Sequence, residues 1–354
     1  MTATAPVAER PAKEPKKPKR QQTFNEGTGR LAATLLSPTM LVLGLVVLFP
    51  IMSALRESLY QSGNRLDANG FIVKGSTWVG LQNYTDIFKG DTGDRFWNAF
   101  YNTTFFTVVC VVLETVLGVA MALIMHKAFK GRGIVRASIL VPWAIPTVVS
   151  ALLWKWIFQA DGVANNILGT QVLWSTEGWQ SKMSVIIADT WKTAPFIGLL
   201  VLAGLQTIPA EVYEAAKVDG ASVLQTFRRI TLPLVKPALL VAVLFRILDT
   251  LRIFDLPFVL VGPHKDSVET LSMLAYDEAF NTRYGPAAAY ATVLFIYVAV
   301  VAYAFVKILG ADVIGEARAK KPGGGGGKGR RKKREIQEAP GTAIGAVASG
   351  GGGV

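Results

Sequence analysis

The stretch Glu211-Val-Tyr-Glu214-Ala215-Ala216-Lys-Val-Asp219-Gly220-Ala-Ser-Val-Leu-Gln-Thr-Phe227-Arg228-Arg229-Ile230-Thr-Leu232-Pro233 decides how the rest of the chain is read. Physically it is helix, turn, helix, stop. Ala215 and Ala216 keep one face thin enough for close approach, Gly220 permits a positive-φ turn, and Pro233 with Pro237 is expected to end the second helix. Such a segment suits docking to another protein; an amphipathic connector lying on a lipid surface would have the same pattern.

On either side of this polar stretch the chain turns apolar. Of its 354 residues 51% are hydrophobic and only 18% charged, with a mean hydropathy of +0.36, whereas soluble domains carry about a quarter charged residues. A crossing of about 30 Å takes roughly 20 helical residues. Six runs meet that length: 31–55, 100–125, 134–158, 184–208, 237–261 and 286–309. No ten-residue alternation repeats between turns, so a membrane barrel is excluded and helices must satisfy the backbone. The expected fold is an all-α polytopic membrane protein with a six-helix domain over 31–309, a loop at 209–233 and basic tails at 1–30 and 310–354.

Charge orients the spans. The tails together with 126–136 and 209–236 hold 24 Lys/Arg, against 7 in 60–96, 159–183 and 262–284, which places both termini in the cytoplasm. The tails alone hold 16 Lys/Arg against 7 Asp/Glu, most of the net charge of +12, so the basic balance suits anionic lipid rather than nucleic acid. Their low complexity predicts disorder. A polar 30-residue lead and a long first apolar run disfavour a cleaved signal peptide. Gly327-Lys328 lacks the flanking Gly and Ser/Thr of a phosphate loop, having Pro322 and Gly329 instead, so no nucleotide site is expected. The single cysteine, Cys110, excludes an intramolecular disulfide, and His126 and His264 fall on opposite sides of the membrane, so no metal site is expected.

Ionisable residues inside spans cost about 2.5 to 3.5 kcal/mol each on insertion scales and therefore mark partners or a water-filled path. The fourth span gathers Asp189, Trp191, Lys192 and Thr193; the fifth has Arg246, Asp249, Arg252 and Asp255 at intervals of three. Pairing along one helix would account for Arg246 and Asp255. A spacing of three drifts about 60° per step, so the four cannot share one face, and Asp249 near mid-span is the candidate for a polar path. Carboxylates, a donor and an aromatic face are what a sugar ring requires. Trp97, Trp154 and Trp156 read as an interfacial belt, Trp143 as packing between helices, and Pro142 with Pro146 as a kink. Glu114, alone in the second span, either bonds a neighbouring helix or lines the path.

The pattern Glu-Ala-Ala, three residues, Gly, nine residues, Ile-x-Leu-Pro resembles the signature loop of ABC importer permeases of type I fold. Trp78-Val-Gly80-Leu81-Gln-Asn83-Tyr84, Phe96-Trp97-Asn98-Ala-Phe-Tyr-Asn102-Thr103 and Val141-Pro142-Trp-Ala-Ile-Pro146 are similar to the sugar-importer branch. Within it, an extra first span resembles the maltose-permease type, and the Gly-rich basic tail resembles mycobacterial trehalose-importer permeases. The resemblance implies a non-enzymatic subunit in the bacterial inner membrane. It implies a second permease, two ATPase subunits holding ATP and Mg, and an external sugar-binding lipoprotein. It implies ATPase coupling through Glu214, Ala215, Ala216, Asp219, Gly220 and Phe227, and sugar contacts at Asp189, Trp191, Lys192, Thr193, Asp249 and Arg252. An ion-coupled secondary transporter using the intramembrane Asp and Lys is the alternative; it predicts inverted repeats, and none is visible. A membrane hydrolase lacks a nucleophile with a nearby base.

Overall fold

The computed structural model describes residues 28–66, 72–127 and 129–319. Thr28–Leu43 forms α1, which passes through a π-turn at Gly44–Leu48 into Phe49–Glu57, α2. Strand β1, Tyr60–Leu66, then pairs antiparallel with β2, Ile72–Trp78, with Tyr60 opposite Trp78. This hairpin departs from an all-helical reading of the chain, although helices dominate. The short α3, Gln82–Asp86, leads into α4, Gly90–His126, a helix of 37 residues.

Next come α5, Arg132–Ala144, and α6, Thr147–Ile157, bent against each other by 97°. After α7, Val163–Leu168, the chain runs through α8, Trp179–Gln206, and then α9, Ala210–Val218, and α10, Val223–Thr226. A π-turn at Phe227–Thr231 joins α10 to α11, Leu232–Thr250; α12, Asp255–Leu260, α13, Leu271–Phe280, and α14, Tyr284–Ala319, complete the order. Among the described residues five helices are long and apolar enough to cross a membrane, or six with the bent α5–α6 pair counted as one span.

Two expected spans need correction. The fifth, at 237–261, is shifted: its helix runs unbroken from Val223 to Thr250, and the chain beyond is interrupted before α12. Pro233 does not end a helix: it directly follows the π-turn at Phe227–Thr231, where the hydrogen-bond pattern shifts and the helix continues into α11. The third, at 134–158, is two helices meeting at Ile145 and Pro146. The basic tails lie outside the described residues except for 28–30 and 310–319, which are helical. By packing the chain divides at Gly310, with a small second unit over Ala311–Val354.

The core is organised along α4. Its Phe96 and Ala99 pack with Leu274 of α13 and Tyr290 of α14; its Phe106 and Cys110 pack with Val185 of α8 and Leu256 of α12; its Ala122 and Met125 pack with Ile197 of α8 and Ala242 of α11. Gly118 sets how close α4 and α8 come. A Cβ there would stand 2.7 Å from Ile197 Cβ and 2.9 Å from the Ala194 carbonyl oxygen, closer than side chains tolerate.

Candidate functional site

A cavity of about 580 Å³ opens beside α8, lined by residues that flank two breaks in the backbone. The first break is the α5–α6 bend, where Pro146 has no N–H to give. The Ile145 carbonyl accepts a hydrogen bond from Lys192 Nζ of α8 at 2.8 Å instead. The second is the gap between α11 and α12, closed by short turns from Arg252 N to Asp249 O and from Ile253 N to Thr250 O. Irregular backbone at membrane depth persists where it is enclosed by protein or lines a cavity. Trp143 and Thr147 line it from the first break, and Leu248 to Leu256 from the second.

In the cavity wall Arg246 holds three carboxylates. It is 3% exposed and Glu114 is fully buried. Arg246 Nε donates to Glu114 Oε2 at 2.7 Å and Nη2 to Glu114 Oε1 at 2.9 Å, the two-pronged geometry of strong arginine–carboxylate pairs. Nη2 also reaches Asp189 Oδ2 at 3.1 Å and Thr250 Oγ1 at 2.9 Å, while Nη1 donates to Asp249 Oδ2 at 2.6 Å. Thr193 donates to Glu114 Oε1 at 2.6 Å. The guanidinium is thus consumed by protein. Of the three carboxylates, Asp249, with its side chain 67% exposed, is the most open to the cavity, which Asp189 also lines.

Of the residues singled out in the sequence, Asp189, Lys192, Thr193, Asp249 and Arg252 all line this cavity. Arg252 is exposed, and its Nε donates to Leu248 O. Trp191 is not in the lining and stands edge-on to Trp154, ring centroids 5.6 Å apart. The aromatic wall comes from Trp143 and Phe196, 5.8 Å apart and both in the lining. Trp143 of α5 thus packs against Phe196 of α8 and also faces the cavity. Arg246 makes the expected pair along its own helix with Asp249 and a further one across to Glu114, while Asp255 is exposed. Among the described residues no cluster of His, Cys, Asp or Glu is arranged to hold a metal ion.

The 209–233 loop lies at the end of α8 away from Trp179. At the end of α9, Ala221 N donates to Ala216 O and Gly220 N to Lys217 O, with Gly220 at φ +73°. This is a Schellman stop, in which glycine takes the left-handed position. Ser222 and Gln225 then form a reciprocal capping box that starts α10. Ala216 is buried and Phe227 half-buried, whereas Glu214, Ala215 and Asp219 are exposed. Val218 and Val223 are 88% and 90% exposed, an apolar tip without cover in this chain.

Residues 114–315 match the family described as binding-protein-dependent transport system inner membrane component. The chain is 36% identical over 285 residues to the trehalose/maltose transport system permease protein MalF of Thermococcus litoralis, covering 79% of this chain and 93% of that protein. It is 38% identical over 289 residues to the trehalose transport system permease protein SugA of Mycobacterium tuberculosis, covering 81% and 91%. Among solved structures, a bacterial ABC transporter involved in the import of the acidic polysaccharide alginate superposes with a TM-score of 0.66 at 22% identity. It covers 83% of this chain and 97% of that one, a likeness of fold. These relatives are named as transport permeases, not enzymes. The chain belongs to the family of binding-protein-dependent inner-membrane transport components, a permease subunit with the type I ABC importer fold.

Proposed function

We propose that this chain is one of two permease subunits of an ATP-driven sugar importer whose cargo is a disaccharide of the trehalose or maltose kind. The cavity between the two broken helices carries this reading. It offers the Asp189 and Asp249 carboxylates as hydroxyl acceptors, and Trp143 with Phe196 as a surface for the C–H face of a pyranose ring. The charges lining it balance, Asp189, Asp249 and Asp255 against Lys192, Arg246 and Arg252, which suits an uncharged polar cargo. The names of the Thermococcus and Mycobacterium relatives support the sugar class.

The 211–233 segment serves as the dock for a separate ATPase, which holds ATP and Mg, with the exposed Val218 and Val223 entering its surface. Both termini and this segment face the cytoplasm. A second permease completes the path, and a sugar-binding lipoprotein delivers cargo on the other side. A binding-protein-dependent family leaves no role for ion coupling through Asp249 or Lys192. The test is uptake by proteoliposomes holding the complete complex with its binding protein, supplied with labelled trehalose, maltose or lactose. ATP-dependent accumulation of one of them is expected; uptake driven by an ion gradient without ATP would overturn the reading.

A further inference from the structure

A second cavity, of about 170 Å³, lies apart from the one described, lined among others by Phe258, His264, Met273, Tyr276, Asp277 and Phe280. Its place along the molecule is fixed by α4. Near the start of that helix, Arg95 donates to Glu269 at 2.9 and 2.6 Å and to Asp277 at 2.9 Å, holding the floor of this cavity. At the other end of α4, His126 packs on Tyr213 of the 211–233 segment. The helical rise separates Arg95 from His126 by about 47 Å. The small cavity therefore lies at the end of the molecule opposite the ATPase dock, with Glu114 and the central cavity between.

A row of aromatic rings connects the two cavities. Phe254 lines the central cavity. Its ring stacks on Phe258 at 5.0 Å and lies 4.9 Å from Tyr276. Phe258 and Tyr276 meet edge to face at 5.3 Å, and Tyr276 stacks on Phe280 at 6.0 Å. Phe254 and Phe258 are half-buried, whereas the outer pair stands open, Tyr276 42% and Phe280 74% exposed. None of the four belongs to the three buried clusters built along α4.

We infer that this row is a track for the sugar: an outer subsite that takes one pyranose ring by its C–H face and passes it along Tyr276, Phe258 and Phe254 to the central cavity. The outer volume is less than a third of the central one, room for one ring at a time. Stacked rings bind a C–H surface without fixing its rotation, which favours sliding over retention. Hydroxyls of the sugar meet His264, 64% exposed, beside Asp277, whose Oδ2 is held by Arg95 and whose Oδ1 accepts from Asn281 Nδ2 at 3.2 Å. The Tyr276 hydroxyl has no hydrogen-bond partner among the described residues and is free for the same use.

The inference rests on the sugar-importer reading, and its test separates the two. The complete complex in proteoliposomes is supplied with saturating binding protein and labelled trehalose, maltose or lactose. Phe280→Ala, Phe280→Leu and Tyr276→Ala should each lower the maximal uptake rate about two- to tenfold, the factor one aromatic contact is worth. Phe280→Tyr should keep it. The binding-protein concentration giving half-maximal uptake should not move. A complex carrying Phe280→Trp should show a sugar-dependent change in tryptophan emission, against the unaltered complex as blank, also when combined with Asp249→Ala. Uptake by Phe280→Ala within twofold of normal, or equal rates for Phe280→Leu and Phe280→Tyr, would overturn the track. A rise only in the half-maximal binding-protein concentration would overturn it in favour of a protein-docking patch. Failure of the unaltered complex to take up any of the three sugars would overturn the importer reading, and this inference with it.

Discussion

Removing the guanidinium of Arg246 and removing the carboxylate of Asp249 should have opposite consequences, because one is enclosed by its partners and the other stands at the cavity edge. Arg246→Met leaves Glu114 and Asp189 buried without a cation, a loss of about 3 to 5 kcal/mol, to be read as lower folded yield and an earlier thermal transition of the purified complex. Asp249→Ala leaves Arg246 bonded to Glu114 and Asp189, so the fold should hold while uptake falls. Asp249→Asn should keep more of the uptake than Asp249→Ala, since an amide still accepts from a hydroxyl; equal loss of folded complex in both variants would make Asp249 a structural ion. That Asp189, Lys192 and Asp249 would stand out was legible because charge inside an apolar run is conspicuous, and all three line the cavity. The Glu114 partnership was not, since it spans 132 residues and exists only when α4 packs on α11. Nor was the role of Lys192, which answers a carbonyl freed by a bend elsewhere. The place of Trp143 in the cavity wall follows from the bend at Ile145, which composition does not show.

Glycines at two places in the helical framework constrain it differently. At Gly220 nothing stands within 4 Å of an added Cβ, so Gly220→Val meets only the backbone penalty of a left-handed φ, about 1 to 2 kcal/mol. That should unwind the stop of α9 and lower ATPase association and sugar-stimulated hydrolysis, with Gly220→Ala milder. Unchanged stimulation in Gly220→Val would argue against the docking role. At Gly118 the conformation is ordinary and the space is missing. Gly118→Leu should cost roughly 1 to 3 kcal/mol through overpacking of α4 on α8, measured as a drop in the thermal transition, while Gly133→Leu, with open space around it, should not. The turn at Gly220 was readable from sequence, as were the apolar lengths of the spans. The passage of the chain through Pro233 was not. There the helix enters α11 by a π-turn in which Leu232 N donates to Phe227 O, and an added residue in one turn leaves no mark in hydrophobic periodicity.

At the scale of the molecule, the first span is joined to the rest at one end only. None of the apolar window of Leu31–Glu57 is buried. Attachment begins past its end, where Asn83 Nδ2 donates to Ser58 O at 2.8 Å and Tyr60 O at 2.9 Å, and Ser58 Oγ meets Tyr84 OH at 2.6 Å. Replacing residues 31–48 by an unrelated apolar helix of equal length should leave the thermal transition of the complex unchanged, whereas Asn83→Ala, which leaves the Ser58 and Tyr60 carbonyls without their donor, should lower it. The converse pattern would mean that the first span is a packed part of the core. Length and apolarity announced this span in the sequence; that its apolar window stays unburied could be seen only in three dimensions. The size of α4 has a further effect. With 37 residues it is about 55 Å long, against about 30 Å of hydrocarbon. Its apolar part begins near Ala99, so the turns from Gly90 onward rise about 15 Å past the lipid tails like a mast. Arg95 on that mast grips Glu269 and Asp277, so a guanidinium standing clear of the apolar turns tethers the chain around α13 to the longest helix of the fold.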